Sequence, residues 1–124
     1  MTRTARTIAI LLGSAALALL PSSATGQFNN PPTPGNDSIS LKSCQEKVLD
    51  LTANDTDPEG NYPLTVTSVG QSDVANFDII SASSIMVYAS DKAGGGTVPY
   101  TVQDSLGATS TGLISIGVIG RICP

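Results

Sequence analysis

The sequence predicts an all-β chain folded into two packed sheets, and three observations carry that prediction. Short runs rich in Val, Ile, Thr and Ser recur at even intervals, separated by clusters of Gly, Pro, Asn and Asp. No long window places apolar residues at helical spacing. The only two cysteines, Cys44 and Cys123, bracket nearly the whole β-prone region, as a staple across one small domain would.

The first 26 residues stand apart from this texture. Arg3 and Arg6 precede an apolar stretch, Ile8 to Leu20, which Pro21 ends and the small residues Ser22-Ser23-Ala24-Thr25-Gly26 follow. That is the layout of a secretory signal, with cleavage expected after Ala24 or Gly26. The stretch falls short of the ~20 residues that cross a bilayer, so no membrane anchor is expected after cleavage. Taking 26 from the 124 residues leaves 98, enough for one domain with a modest core. These 98 carry 4 basic and 10 acidic side chains, a net charge of −6. That balance excludes sequence-independent nucleic-acid binding, which relies on Lys and Arg against phosphates. With no histidine in the chain, Ser–His and Cys–His catalysis and histidine-ligated metals are excluded as well. Export to an oxidising compartment (periplasm, cell surface or medium) makes a Cys44–Cys123 disulfide the natural reading, worth roughly 4–5 kcal/mol for a loop of this length.

Residues 27–36 (QFNNPPTPGN) hold three prolines and one large hydrophobe, Phe28. They are expected to form an extended, mostly solvated arm. The domain proper is expected over 37–124, with seven strands. The first covers Asp37–Lys42, with Ile39 and Leu41 alternating inward, and the second covers Lys47–Thr52. The third is Leu64–Val69, the fourth Asn76–Ile80 around Phe77 and Ile79, and the fifth Ser84–Ala89 around Ile85 and Val87. The sixth is Thr97–Gln103, with Val98, Tyr100 and Val102, and the seventh Ser110–Ile119, with Ile114, Ile116 and Val118. Seven strands at this spacing indicate a β-sandwich of immunoglobulin-like type. Pro99 sits awkwardly in the sixth strand, since proline cannot donate to a ladder; either a bulge occurs there or regular pairing starts at Tyr100. Ala93 to Gly96 reads as a flexible hairpin loop, because it lacks the pattern of a phosphate-binding loop.

If successive strands alternate in direction, the first–second turn and the end of the seventh strand share a pole. This is where Cys44 and Cys123 lie, so topology and disulfide support one another. The other pole collects the start of the first strand and the second–third, fourth–fifth and sixth–seventh loops. One of these reads Asn54-Asp55-Thr56-Asp57-Pro58-Glu59-Gly60. Oxygen donors at alternate positions, Asp55, Asp57 and Glu59, suit a hard cation such as Ca²⁺, and Asp37 and Asp104 arrive at the same pole. A solvated turn built from good turn formers is the alternative.

Val48-Leu49-Asp50-Leu51-Thr52-Ala53-Asn54-Asp55-Thr56-Asp57-Pro58-Glu59-Gly60, then Leu64 to Val69, and later Gly96 to Asp104 with Gly107, together resemble the bacterial cadherin-like (immunoglobulin-like) domain. The resemblance covers about Asn36 to Val118. It implies a seven-stranded sandwich, an extracellular setting, adhesion or scaffolding, and often Ca²⁺, here on Asp37, Asp55, Asp57, Glu59 and Asp104. The Cys44–Cys123 pair is not part of the usual repeat and suggests a module with its own staple. The functional expectation is a secreted, non-enzymatic binding or adhesion module, with a protein or a surface glycan as partner and Ca²⁺ at the acidic pole. The alternative is a structural subunit of a surface assembly with no ion bound. Neither a nucleophile–base pair nor a catalytic metal cluster is visible, so an enzyme is not expected.

Overall fold

The computed structural model describes residues 28–120 and Cys123; the expected signal segment lies outside the described residues. Seven strands follow in order: β1 (Asn36–Lys42), β2 (Glu46–Asp50), β3 (Thr65–Val69), β4 (Ala75–Ile79), β5 (Ser84–Ala89), β6 (Gly94–Gln103) and β7 (Thr109–Ile119). They form a four-stranded sheet, β1-β7-β6-β3, and a three-stranded sheet, β2-β5-β4. Alternation along each strand sends one face inward. Ile39, Leu41, Val98, Tyr100, Val102, Ile114, Ile116 and Val118 from the larger sheet meet Leu51, Ala75, Ile85, Val87 and Ala89 from the smaller. Leu51, Ile85, Val87, Val102 and Ile114 are fully sealed from solvent. Each aliphatic side chain taken from water in this way contributes on the order of 2 kcal/mol.

β1 runs parallel to β7, pairing Asn36 with Leu113 through to Lys42 with Ile119, and every other strand pairing is antiparallel. The parallel pair puts the β1–β2 turn and the end of β7 at one pole, as strand parity predicts. There Cys44 and Cys123 form the disulfide, with a Cα–Cα distance of 5.4 Å. The turn is held by bonds from the Ser43 amide to the Ile119 carbonyl (3.1 Å) and from the Cys44 amide to the Ser90 carbonyl (3.0 Å). Cys44 itself sits at a φ of 64°, in the left-handed region that reverses a chain sharply.

Three local expectations need correction. The glycine run is not a loop, because Gly94–Gly96 extend β6 and pair with Val118, Gly117 and Ile116. Their lack of side chains is required at Gly95, where a Cβ would come within 2.6 Å of the Ile116 carbonyl oxygen. Pro99 produces no bulge: β6 pairs with β7 in unbroken register through Pro99 opposite Leu113. The β3 ladder does begin at Tyr100, opposite Val69, and the Pro99 carbonyl accepts from the Gly70 amide at 2.8 Å. Proline's missing donor therefore falls on the β3 side of β6, one residue beyond the last paired position of that ladder. The bulge of this sheet lies instead in β3, between Val66 and Ser68.

The arm is extended and mostly exposed, as its composition predicts, but it is also bonded down. Thr33 and Thr56 exchange backbone bonds (2.6 and 3.0 Å), Ser110 Oγ donates to the Pro32 carbonyl (2.6 Å), and Pro32 is buried. The arm thus crosses the pole opposite the disulfide, over the loops that carry the acidic residues.

Candidate functional site

The five predicted acidic residues do reach one pole, but they do not form one ring. Among the described residues, no group of three or more carboxylate, histidine or cysteine side chains gathers at one point. Two separate aspartate pairs form instead, and Glu59 stands outside both.

The first pair is Asp37 and Asp55, at the start of β1 and in the β2–β3 loop. Between them rises Tyr100 from β6, whose ring is 1% exposed. The Tyr100 hydroxyl lies 3.0 and 3.1 Å from the two Asp55 carboxylate oxygens and 3.4 Å from the Gly35 carbonyl. The Gly35 amide donates to Asp55 Oδ1 at 2.7 Å. Asp37 lies alongside the same hydroxyl, and its Oδ2 is buried and accepts no hydrogen bond among the described residues. Burial raises both carboxyls above the ordinary value of 3.8. For Asp37 the hydroxyl opposes this and the charges of Asp55 and Asp50 add to it; for Asp55 the Gly35 amide and Tyr100 oppose it and Asp50 adds. Burial, then the charges of Asp55 and Asp37, push the Tyr100 hydroxyl well above its usual range, so it keeps its proton and donates. The ring fits only because β7 presents Gly112 opposite it, where a Cβ would come within 2.6 Å of the ring. With its hydroxyl sealed in this way, Tyr100 fastens the arm and the β2–β3 loop to the sheet.

The second pair is Asp57 and Asp104, 7% and 4% exposed. Asp57 Oδ1 accepts from the amides of Glu59 and Asn61, both at 3.0 Å, an arrangement that folds the loop on itself around Gly60 at φ 76°. Asp104 Oδ1 accepts from the amides of Leu106 and Ala108, both at 2.9 Å, and from Asn29 Nδ2 at 3.3 Å. Asn61 Nδ2 in turn donates to Asn29 Oδ1 at 2.9 Å, and the Ser105 amide donates to the Asn61 carbonyl at 3.0 Å. The two loops and the arm therefore close on one another, with the Asp57 and Asp104 carboxyls in contact. Each keeps a buried Oδ2 that accepts no hydrogen bond among the described residues. Burial pushes Asp104 up, but the Ala108 amide, Asn29, the Leu106 amide and Asp57 outweigh it and hold the carboxyl below 3.8.

Glu59 is exposed and binds the arm, accepting from the Asn30 backbone amide at 3.2 Å and from the Asn30 side chain at 2.5 Å. Sequence reasoning missed Asn29 and Asn61. Their signal was weak, since both sit in runs where asparagine is an ordinary turn residue, and only the arm's return over the loops gives them partners.

Comparisons with known proteins agree with the fold. No curated protein matches the chain. Among solved structures, a nucleoside hydrolase-related hypothetical protein from Saccharophagus degradans, associated with carbohydrate metabolism, superposes with a TM-score of 0.53 at 18% identity. The match covers 73% of this chain and 26% of that one. An endo-fucoidan hydrolase of glycoside hydrolase family 107 superposes with a TM-score of 0.50 at 23% identity, over 79% of this chain and 15% of that one. This chain thus spans about a quarter or less of those proteins, and the likeness is one of fold. Residues 29–117, from the arm that closes the acidic pole almost to the end of β7, match the bacterial Ig domain family, and the chain belongs to that family.

Proposed function

We propose that this chain is a secreted, non-enzymatic binding or adhesion module whose acidic pole binds Ca²⁺ between Asp57 and Asp104. Family membership supports the general role, since bacterial Ig domains serve as structural or adhesive modules, are generally not enzymes and usually lie outside the cell. The disulfide fits an oxidising compartment. The observation that carries the cation reading is the pair of buried Oδ2 atoms, which belong to carboxyls in contact and accept no hydrogen bond. Two such oxygens repel unless a proton or a cation lies between them. The two amides and the carboxamide that donate to Asp104 favour its ionised form and with it the cation. Solvent or a partner surface would complete the six to eight oxygens that Ca²⁺ takes. Of the other predicted ligands, Asp37 and Asp55 are engaged with Tyr100, and Glu59 with Asn30.

Calorimetry of the mature protein tests this reading. Millimolar Ca²⁺ should raise the melting temperature relative to excess chelator, because binding to the folded state alone stabilises by mass action. Asp104→Asn should abolish the rise while leaving the fold intact. Identical melting with Ca²⁺ and with chelator would overturn the cation reading.

A further inference from the structure

The β1, β2 and β3 edges of the sandwich carry devices that the β4 edge lacks, β2 having Lys47 within it. The β3 edge is broken by its bulge, and its Val66 amide is taken by the Ala82 carbonyl at 2.7 Å. The β1 edge is covered by β2's Lys47, whose Nζ donates to the Ser40 carbonyl at 2.7 Å. These are the usual ways of stopping sheets from adding strands. β4, at the edge of the smaller sheet, has no lysine, proline or bulge. Its residues 75–79 pair with β5 in unbroken register.

Ladder alternation shows which of its backbone groups are free. The Ile80 amide donates to the Ser84 carbonyl at 3.0 Å, and the Ser90 amide donates to the Val74 carbonyl at 2.8 Å. The even-numbered residues therefore face β5, and Ala75, Phe77 and Ile79 turn their amides and carbonyls away from it. Among the described residues, no bond outside the β5 ladder reaches these three. Along this edge runs an open groove lined by Val69–Ser72 and Ala75–Asp78. Ile79 and Ile80, at the end of the strand, are 44% and 50% exposed.

We infer that β4 is a self-association edge, pairing antiparallel with β4 of a second copy about a two-fold axis through Phe77. In that register Ala75 faces Ile79 and Phe77 faces Phe77, so every outward amide of the strand has a partner. On the side-chain faces Asn76 stands opposite Asp78, Val74 opposite Ile80 and Asp73 opposite Ser81. No like charges stand directly opposite one another. Moving the axis to Asp78 would set Asp78 against itself and leave part of the edge unpaired. Elsewhere an acidic protein of net charge −4 repels its own copies, so an edge that matches aspartate with asparagine selects a second copy as its occupant. The contact is small against the ~1,200 Å² of a stable interface, so the pairing is reversible and depends on concentration. The result is a continuous sheet running through both molecules, β2-β5-β4 against its two-fold image.

Sedimentation of the mature protein over a wide concentration range, in chelator so that cation binding plays no part, tests the inference. The expected result is a reversible monomer–dimer equilibrium. Asn76 is exposed, so its variants should fold. Asn76→Asp places like charges opposite one another at two symmetry-related positions and should weaken the dimer by about tenfold. Asn76→Lys places opposite charges there and should tighten it several-fold. Ile79→Lys, which adds the edge charge that β4 lacks, should leave monomer. A protein that stays monomeric at every concentration, assemblies larger than dimers, or two Asn76 variants that move in the same direction or not at all would each overturn the proposal.

Discussion

The Asp37–Asp55 pair and Asp104 of the second pair share a pole and a residue type, yet their surroundings treat them in opposite ways. The first pair meets a single hydroxyl, from Tyr100, plus one amide, and burial prevails, so both carboxyls are raised. In the second pair, Asp104 alone accepts from two amides and a carboxamide, and these donors prevail over burial. Each carboxyl is thus decided by the balance between burial and the donors aimed at it. The first pair suits a structural clasp, and the second is the one to which we assign the proposed cation.

The comparison breaks most completely if the Tyr100 ring is displaced. Gly112→Ala would drive a methyl into that ring and unseat its hydroxyl from Asp55, at a cost of about 3 kcal/mol or more in chemical denaturation. Calcium-dependent stabilisation should survive in whatever folded fraction remains, because the second pair does not touch Tyr100. Tyr100→Phe keeps the ring and removes the donor, leaving two buried carboxylates facing each other. It should cost about 1–3 kcal/mol at neutral pH and much less in acid, where those carboxyls are protonated.

Thermal melts against pH sharpen the contrast, because the first pair and Asp104 pull in opposite directions. The raised Asp37 and Asp55 carboxyls bind protons in the native state at a pH where the unfolded chain has released them. Their contribution is therefore complete below 3.8 and is lost as pH rises through their native values. Asp104, held below 3.8, contributes stability that is complete above that value and is lost as pH falls through its native one. The melting temperature should therefore climb as pH falls from neutral toward 3.8, then drop. Asp55→Asn should flatten the climb, and Asp104→Asn should soften the drop. The smallest effect is expected at Glu59, which lies outside both pairs. Glu59→Gln should change stability by less than about 0.5 kcal/mol and leave the calcium response unaltered.

Much of this was legible in the sequence, because period-2 alternation and turn clusters are local signals. Ser84–Ala89 was placed at its true ends and the other strands within a few residues, since each apolar stripe ends where a turn cluster starts. Strand parity also carried the disulfide and the gathering of the acidic loops at one pole. Side-chain detail at that pole was not legible. Nothing local to Asp37 and Asp55 says that a tyrosine some 45 residues further on stands between them, or that Gly112 makes room for it. The arm misled for a related reason: proline and asparagine avoid regular structure, but their carbonyls and carboxamides still bind a surface that offers partners. The glycine run shows the reverse error, since flexibility as an isolated segment does not prevent pairing where a bare backbone is what fits.

The parallel alignment of β1 with β7 also bears on how the chain reaches its native state. The first strand of the larger sheet waits for the last, so local hairpins can form early while the layer as a whole stays open until almost all of the polypeptide is present. Such non-local closure places folding in the slow regime, roughly milliseconds to seconds, and truncation within the final strand should abolish folding rather than trim its stability. A chain that cannot close before its end appears is also one that remains threadable through a translocation pore.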